Sequence, residues 1–155
     1  MLVLAFTLTT EELGANLADV FGIKADDAAA WWPVVGGWIA DALAYGGGFI
    51  SIEDAKQSVQ DRDFQLWGIA AEGVPVAACL TQICIWPQGK ALTVIAVGGN
   101  RMDDWIAELD DVMQSFARSK GCKVVSCHGR KGWKKSLEPL GFSQSVVTYM
   151  KEVAA

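Results

Sequence analysis

The second half of the chain alternates between short runs of β-branched and apolar residues and longer stretches with helical spacing. The run Ala91 to Val97 (ALTVIAV) is too short for a helix and predicts a buried strand, which Gly98 and Gly99 end. Apolar residues then recur at helical spacing from about Met102 to Lys120. Lys123 to Cys127 (KVVSC) predicts a second buried strand. A unit of this length normally places its two strands parallel, so we expect them to part at their carboxyl ends.

The first part of the chain predicts a strand followed by helices. Leu2 to Leu8 has the composition of a strand, and the residues from Thr9 or Thr10 to about Phe21 predict a helix with a capped start. Ala28 to Ile52 carries one charge in twenty-five residues and predicts a buried or interfacial helix. A short helix is expected from Ser51 to about Gln60.

Three consecutive antiparallel strands are predicted ahead of the parallel pair. Phe64 to Ala71 and Val74 to Trp86 are joined by Glu72-Gly73, which is a tight-turn sequence typical of a hairpin. The third of these strands is Ala91 to Val97 itself. A short helix from about Trp133 to Leu137 and a closing strand from Ser145 to Lys151 complete the pattern. The fold class is therefore α/β, one domain over residues 1–155, with a mixed sheet and helices on both faces.

The turn from Gly98 to Met102 offers the only phosphate-binding geometry that the sequence suggests. Asn100 can cap the following helix, and Asp103 and Asp104 suit its positive end. Free backbone N–H groups at such a turn, with glycines that allow close approach, can hold a phosphate or pyrophosphate. A glycine pair between a strand and a helix is also common in α/β proteins that bind no ligand, so both interpretations stay open.

Composition narrows the class of protein. The chain is 52% hydrophobic with a net charge of −5, which argues against disorder and against a nucleic-acid partner. The basic segment from Arg130 to Lys135 is a local exception that can meet an anion. The four cysteines form no CxxC pair and the sole histidine, His128, gives no zinc spacing, so we expect buried thiols and no metal. The start of the chain lacks the features of a signal peptide, which favours a cytoplasmic protein.

The tryptophan-rich segment Ala28 to Ile52 has two interpretations, because Pro33, several glycines and the lack of basic flanks argue against a membrane span. In the first interpretation it is a core helix packed on a sheet. In the second, Trp31, Trp32 and Trp38 form part of an interface with a protein partner or with a second copy in a homo-oligomer.

Two longer motifs carry a resemblance to a known family. AVGGNRMDDW (residues 96–105) leads from a strand into a long helix, and GWKKSLEPLGF (residues 132–142) precedes the last predicted strand. With the order of elements over nearly the whole chain, these motifs resemble the GNAT superfamily of N-acetyltransferases. In detail the chain is most similar to the divergent GNAT-like proteins of tailed phages, through QLW at Gln65 to Trp67, the glycine pair, and GRxGW at Gly129 to Trp133. If it is phage-encoded, its location is the host cytoplasm or the virion.

The resemblance implies an acyl-CoA-dependent N-acyltransferase that moves an acetyl group from acetyl-CoA to an amine acceptor. It places the pantetheine along the exposed edge of the strand that ends at Val97, whose backbone N–H would serve the thioester carbonyl. It places the pyrophosphate on the amides that follow, and the basic segment near the 3′-phosphate. The residues implied for cofactor binding are Ile95, Ala96, Val97, Gly98, Gly99, Asn100, Arg101, Met102, Arg130 and Lys131.

Two departures from the family pattern keep a second function open. The glycines between Val97 and Met102 do not keep the spacing of the family's phosphate loop, and Leu137 stands where many members have a tyrosine that protonates the leaving thiolate. The alternative is a non-catalytic GNAT-fold phage protein, a virion-associated or host-interaction module that uses the tryptophan-rich segment.

His128 is the candidate catalytic residue, because a histidine at the end of a strand can exchange a proton near neutral pH. A lone histidine in a loop is, however, more often structural or solvated. The weaker candidates are Glu72, Cys127, Glu138 and Tyr149. Cys127 and His128 make a poor nucleophile and base pair, because adjacent residues of a strand point to opposite faces.

Overall fold

The computed structural model of the protein describes residues 18–155. Its strands and helices, in chain order, are β1 Ala18–Ile23, α1 Ala28–Ala44, α2 Ile52–Gln60, β2 Phe64–Ala71, β3 Val74–Trp86, β4 Gly89–Gly99, α3 Met102–Ser119, β5 Cys122–Cys127 and α4 Lys134–Leu137. Short 3-10 turns span Ala25–Asp27, Lys131–Trp133 and Glu138–Leu140. The hairpin strands and the helix after the glycine pair lie where the sequence predicts them.

The five strands form one mixed sheet in the order β1-β2-β3-β4-β5. The first three neighbouring pairs are antiparallel, and β4 and β5 are parallel. The parallel ladder runs from Lys90 opposite Cys122 to Val94 opposite Cys127. Beyond Val94, β4 continues along β3 as far as Gly99 but has no further partner in β5. The predicted α/β fold with a mixed sheet is therefore confirmed.

Helices cover both faces of the sheet. The buried residues of α3 lie one turn apart on one face of that helix and are Trp105, Leu109, Met113 and Ala117. They join one core cluster with Trp67, Ile69 and Leu92 of the sheet. The buried residues of α1 after its first turn are Val35, Ile39 and Leu43. These join a second cluster with Leu66, Leu80 and Ala96. The sheet therefore separates two hydrophobic cores.

A β-bulge interrupts β4 at Ile95. Ala96 lies opposite Leu80 and Val94 lies opposite Thr81, so Ile95 is the extra residue of this ladder. Ile95 and Ala96 both belong to the cluster under α1, whereas Val94 packs into the cluster under α3. A bulge bends its strand and increases the local twist. The bend lies directly after the last residue of β4 that pairs with β5.

The helix predicted from Thr9 or Thr10 to about Phe21 is wrong over its last residues, which are the part that the structure describes. The residues up to Phe21 were expected to end a helix, but Ala18–Ile23 forms strand β1 and pairs with β2 over its whole length. Burial follows the strand period at the start, because Ala18 and Val20 are buried and Asp19 between them is exposed. Pairing with β2 outweighs the local helical pattern. The predicted strand Leu2 to Leu8 lies outside the described residues.

The predicted closing strand is also wrong. Residues 145–151 have no regular structure, and Val146 and Tyr149 are 80% and 91% exposed. The sequence pattern reports the strand propensity of this segment but not whether a neighbouring strand is present. A strand without a neighbour leaves its backbone hydrogen-bonding groups without partners.

The tryptophan-rich segment forms α1, and all three of its tryptophans pack partly buried against the core under that helix. The Trp31 ring lies 5.3 Å from the ring of Phe21 in β1, centroid to centroid. The aromatic residues left exposed near this helix are Tyr45 at 66% and Phe49 at 78%. An interface through the tryptophans stays a prediction. Within residues 18–155, no helix is long and apolar enough to cross a membrane.

The close approach of α1 to β4 generates a stability prediction. A Cβ added at Gly98 would collide with the carbonyl oxygen of Trp38 in α1. Gly98→Ala should therefore lower the free energy of unfolding by about 1–3 kcal/mol, the usual cost of overpacking. Gly37→Ala is the matched control, because nothing lies within 4 Å of its added Cβ and alanine favours a helix by about 0.5–1 kcal/mol. Urea unfolding measures the free energy of unfolding of both variants. An unchanged value in Gly98→Ala would show that α1 can shift to make room for the added side chain.

Candidate functional site

A gap opens between β4 and β5 at their carboxyl ends. The last paired residues are Val94 and Cys127, where β5 ends, and the bulge at Ile95 lies just beyond them in β4. The backbone of β4 from Ile95 onward therefore has an edge that β5 does not cover. In open α/β sheets, ligands bind outside the carboxyl ends of the strands. This gap is the candidate functional site.

A cavity of about 350 Å³ lies beside this gap, lined by Met102, Arg130, Gly132 and Trp133. Met102 is the first residue of α3, and the others belong to the loop that follows β5. The Arg130 guanidinium lies 3.9 Å from the ring centroid of Tyr45, just after α1, which is a cation–π contact. The fold thus brings together two predicted cofactor-binding residues, Met102 and Arg130, that are distant in sequence.

The glycine turn is more constrained than the sequence suggests. The Asn100 backbone N–H donates to the Val76 carbonyl oxygen at 2.8 Å, and its carbonyl oxygen accepts from Trp105 Nε1 at 2.6 Å. Gly99 has a φ of +139°, and a Cβ there would collide with Ala77 and the Val76 carbonyl oxygen of β3. The Asn100 amide therefore cannot serve a phosphate as predicted, because β3 already uses it. The glycine pair is required by packing, whatever else it does.

Arg101 is engaged by neighbouring carboxylates. Its Nε donates to Asp104 Oδ2 at 2.7 Å, and its guanidinium lies 4.0 Å from Glu72 Oε2. Its backbone is left-handed at φ 59°, and it precedes α3 without a side-chain cap. Asp103 and Asp104 also place negative charge on the first turn of α3. Arg130 is therefore better placed than Arg101 to meet an anion.

The catalytic candidates are dispersed. His128 follows β5 directly and is exposed at the end of the strand that borders the gap. Glu138 forms an ion pair with Lys134 at 3.6 Å, and Tyr149 lies in the exposed tail. Leu137, on α4, offers no proton donor. Lys131 is exposed beside Arg130. Across the described residues, no group of three or more His, Cys, Asp or Glu side chains is arranged to hold a metal ion.

Burial disfavours the thiolate form of two cysteines, Cys79 and Cys127. Burial raises the pKa of the Cys127 thiol above its usual range. Burial also raises the pKa of Cys79, which is fully buried, and the nearby Cys127 raises it further. A thiol with a raised pKa is protonated near neutral pH and is a poor nucleophile. The structure therefore argues against Cys127 as a nucleophile.

Several residues near the gap were missed by the sequence analysis. Thr93 Oγ1 lies 3.0 Å from Ser126 Oγ across the parallel pair, and it donates to Cys84 Sγ at 3.5 Å. These hydroxyls lie just below the point where β4 and β5 part. The available signal was a hydroxyl within each otherwise apolar run, ALTVIAV and KVVSC. Tyr45 and Trp133 gave no local signal, because only the fold brings them close to the cavity.

The fold is similar to that of several solved N-acetyltransferases. One similar structure is ribosomal-protein-alanine N-acetyltransferase from Brucella melitensis biovar Abortus 2308, with a TM-score of 0.65 and 18% identity over 88% of this chain and 99% of that one. Glucosamine-6-phosphate N-acetyltransferase from Arabidopsis thaliana has a TM-score of 0.61 and 16% identity over 88% and 99%. Aminoglycoside N-acetyltransferase AAC(6')-Iy in complex with CoA has a TM-score of 0.61 and 14% identity over 88% and 95%.

At these identities the likeness defines the fold alone. No protein-family model matches the sequence, and no curated protein matches it.

Thiol labelling tests the account of Cys127. We expect iodoacetamide at neutral pH to modify Cys122 faster than Cys127, because burial raises the pKa of Cys127 and lowers its thiolate fraction. Cys122 is a suitable reference, since it is also half-buried and lies at the other end of β5. Peptide mass spectrometry gives the rate at each site. Faster labelling of Cys127 would identify an activated thiol and restore its candidacy as a nucleophile.

Proposed function

We propose that the protein is an acyl-CoA-dependent N-acyltransferase that transfers an acetyl group from acetyl-CoA to an amine. The gap between β4 and β5 supports this proposal most directly, because it leaves the backbone of β4 beyond Val94 open beside a cavity that contains Arg130. The structural neighbours also support it, since they are named as N-acetyltransferases and one is in complex with CoA. Among them are aminoglycoside acetyltransferases, which supports an amine as the acceptor.

The residues around the gap fit the phosphates of a CoA thioester. The start of α3 carries backbone N–H groups and the positive end of the helix dipole, and both favour an anion. Arg130 lines the same cavity as Met102 and adds a guanidinium, with Lys131 next to it in sequence. We propose the Met102 amide and Arg130 for the pyrophosphate, and Ile95 to Val97 for hydrogen bonds to the pantetheine arm. Gly98 and Gly99 shape the strand that leads to them.

The chain must supply three functions for acyl transfer: a proton acceptor for the amine, a donor to the carbonyl oxygen, and a proton donor for the leaving thiolate. When bound, the CoA thioester supplies the activated acyl group. The Val97 N–H, on the open part of β4, is the proposed donor to the carbonyl oxygen. His128 is the proposed residue that accepts the amine proton at a ring nitrogen and can return a proton to the thiolate. Leu137 has no proton to give, which leaves this last function to His128 or to water.

A non-catalytic protein with the same fold is the second candidate. The absence of a proton donor at Leu137 and the engagement of the Asn100 amide by Val76 favour it. The resemblance to tailed-phage proteins, a virion-associated or host-interaction function, and an interface through the tryptophans of α1 belong to this candidate. Acetyl-CoA binding without turnover of any amine would favour it over the enzyme.

Acetyl-CoA binding is the first test. At 100 times its dissociation constant, acetyl-CoA should raise the free energy of unfolding by about 2.7 kcal/mol. Arg130→Ala should weaken binding by about tenfold or more, because a hydrogen bond to a charged group contributes about 1.5–3 kcal/mol. Arg118→Ala is the matched control, since Arg118 lies in the last turn of α3, at the opposite end from Met102. Isothermal calorimetry measures both variants, and equal effects of the two, or no binding by the wild type, would count against the site.

Gly99→Val would not test phosphate binding at this site. The space behind Gly99 is filled by Ala77 and Val76 of β3, so a side chain there disturbs the sheet before it meets a ligand.

Substitution of His128 tests catalysis separately from binding. His128→Asn keeps a polar side chain of similar size but removes the group that exchanges a proton. We expect kcat to fall by about 10²–10⁴-fold, the usual contribution of general acid–base catalysis, while the affinity for acetyl-CoA stays unchanged. Release of free CoA thiol over a panel of amines measures turnover. Unchanged kcat in His128→Asn would remove His128 from the mechanism without affecting the binding site.

A further inference from the structure

A pair of hydroxyl groups joins β4 to β5 just before the gap begins. Thr93 lies opposite Ser126 in the parallel ladder, one position before the last paired residues, Val94 and Cys127. Thr93 Oγ1 and Ser126 Oγ are 3.0 Å apart, and Thr93 is only 6% exposed. Within residues 18–155, this is the only side-chain hydrogen bond that joins the two strands. It therefore lies at the base of the gap.

The hydrogen bonds around Thr93 run in one direction. A threonine hydroxyl carries a single proton, and Thr93 donates it to Cys84 Sγ at 3.5 Å. Ser126 is therefore the donor in its bond with Thr93. Cys84 Sγ donates in turn to Gln82 Oε1 at 3.8 Å. Thr93 accepts one bond and donates the other, so a side chain without a hydroxyl at this position would break both.

His128 depends on the end of β5 for its position. It is exposed and comes directly after the last residue of that strand. Arg130 is held in another way, because its guanidinium stacks on Tyr45 and its carbonyl oxygen accepts from the Trp133 N–H at 2.9 Å. Among the described residues, no such contact holds the His128 side chain. A change at the end of β5 should therefore move His128 more than Arg130.

We propose that Thr93 and Ser126 are positioning residues, whose hydrogen bond holds the end of β5, and with it His128, at a fixed distance from the open part of β4. This inference rests on the proposed function, in which the Val97 N–H serves the carbonyl oxygen and His128 accepts the amine proton. These two groups follow different strands, so their distance depends on how the strands meet at the base of the gap. Chain segments with few contacts open most readily, and a buried hydroxyl pair opposes that opening.

Thr93→Val tests the pair, because valine has nearly the shape of threonine but no hydroxyl. We expect kcat for the release of CoA thiol to fall by about 10–100-fold, since a misplacement of about 1 Å can cost about 10²-fold. The affinity for acetyl-CoA should stay unchanged, because Tyr45 holds Arg130 independently of β5. Thr93→Ser keeps the hydroxyl and should restore most of kcat.

Ser126→Ala removes the same hydrogen bond from the other side. It should lower kcat about as much as Thr93→Val does. The double variant should lose little more than either single variant, because all three lack the same contact. Effects that simply multiply in the double variant would show that the two side chains act separately, and would overturn the proposal.

Thr81→Val is the matched control. Thr81 and Thr93 are the two polar residues that are buried within residues 18–155, and Thr81 bonds to Trp67 and Gln65 of β2. Thr81→Val should lower the midpoint of urea unfolding, as Thr93→Val does, but should leave kcat unchanged. An equal fall of kcat in the two variants would show that only general stability matters, and would refute the positioning role.

Hydrogen exchange separates a failure of this inference from a failure of the proposed function. Peptides that cover residues 124–128 should exchange faster in Thr93→Val than in the wild type or in Thr81→Val. Unchanged exchange there would overturn the inference whatever the activity. Unchanged kcat in Thr93→Val would also overturn it, but would leave the proposed function standing. A wild type that turns over no amine would overturn the proposed function, and the positioning role with it, even if Thr93→Val loosens β5.

Discussion

The contact between the backbone of α1 and Gly98 is the constraint on which the site depends. The carbonyl oxygen of Trp38 occupies the space that a side chain at position 98 would need. Past the bulge at Ile95, β4 is therefore held by α1 on one face and by β3 along one edge. The other edge, toward β5, is left open. The gap thus lies where β4, fixed to its other neighbours, extends past the end of β5.

Secondary structure was predictable where local sequence and tertiary pairing agree. The hairpin of β2 and β3 has a turn at Glu72-Gly73 between β-rich runs, and α3 has a clear apolar stripe. Residues 18–21 were predicted wrongly, because the sequence before them has a helical pattern. Their pairing with β2 is a tertiary contact that the local sequence does not reveal. Ser145 to Lys151 is the opposite case. Its residues favour a strand, but no strand of the described chain lies beside it. Both errors concern the partner of a segment, which is not local information.

The site was only partly predictable for the same reason. Arg130 was identified from its basic surroundings and Met102 from its place after the glycine pair, and the fold does place them around one cavity. The glycine pair was interpreted as a feature for ligand approach. Its nearest contacts are instead with Trp38 and β3, and the Asn100 amide is bonded to Val76. A glycine needed for close packing and a glycine needed for a ligand look identical in a sequence.

The stacking of Arg130 on Tyr45 has a consequence for anion recognition. The central carbon of the guanidinium lies over the Tyr45 ring, 3.9 Å from its centroid, and the N–H donors of a guanidinium point outward in its own plane. Stacking and hydrogen bonding therefore use different directions of the same group and do not compete. Tyr45 restricts the rotamers of Arg130 before any ligand arrives, and ordering such a side chain otherwise costs about 0.5–1.5 kcal/mol on binding. The exposed tyrosine that follows α1 thus preorganises a cation that lines the cavity.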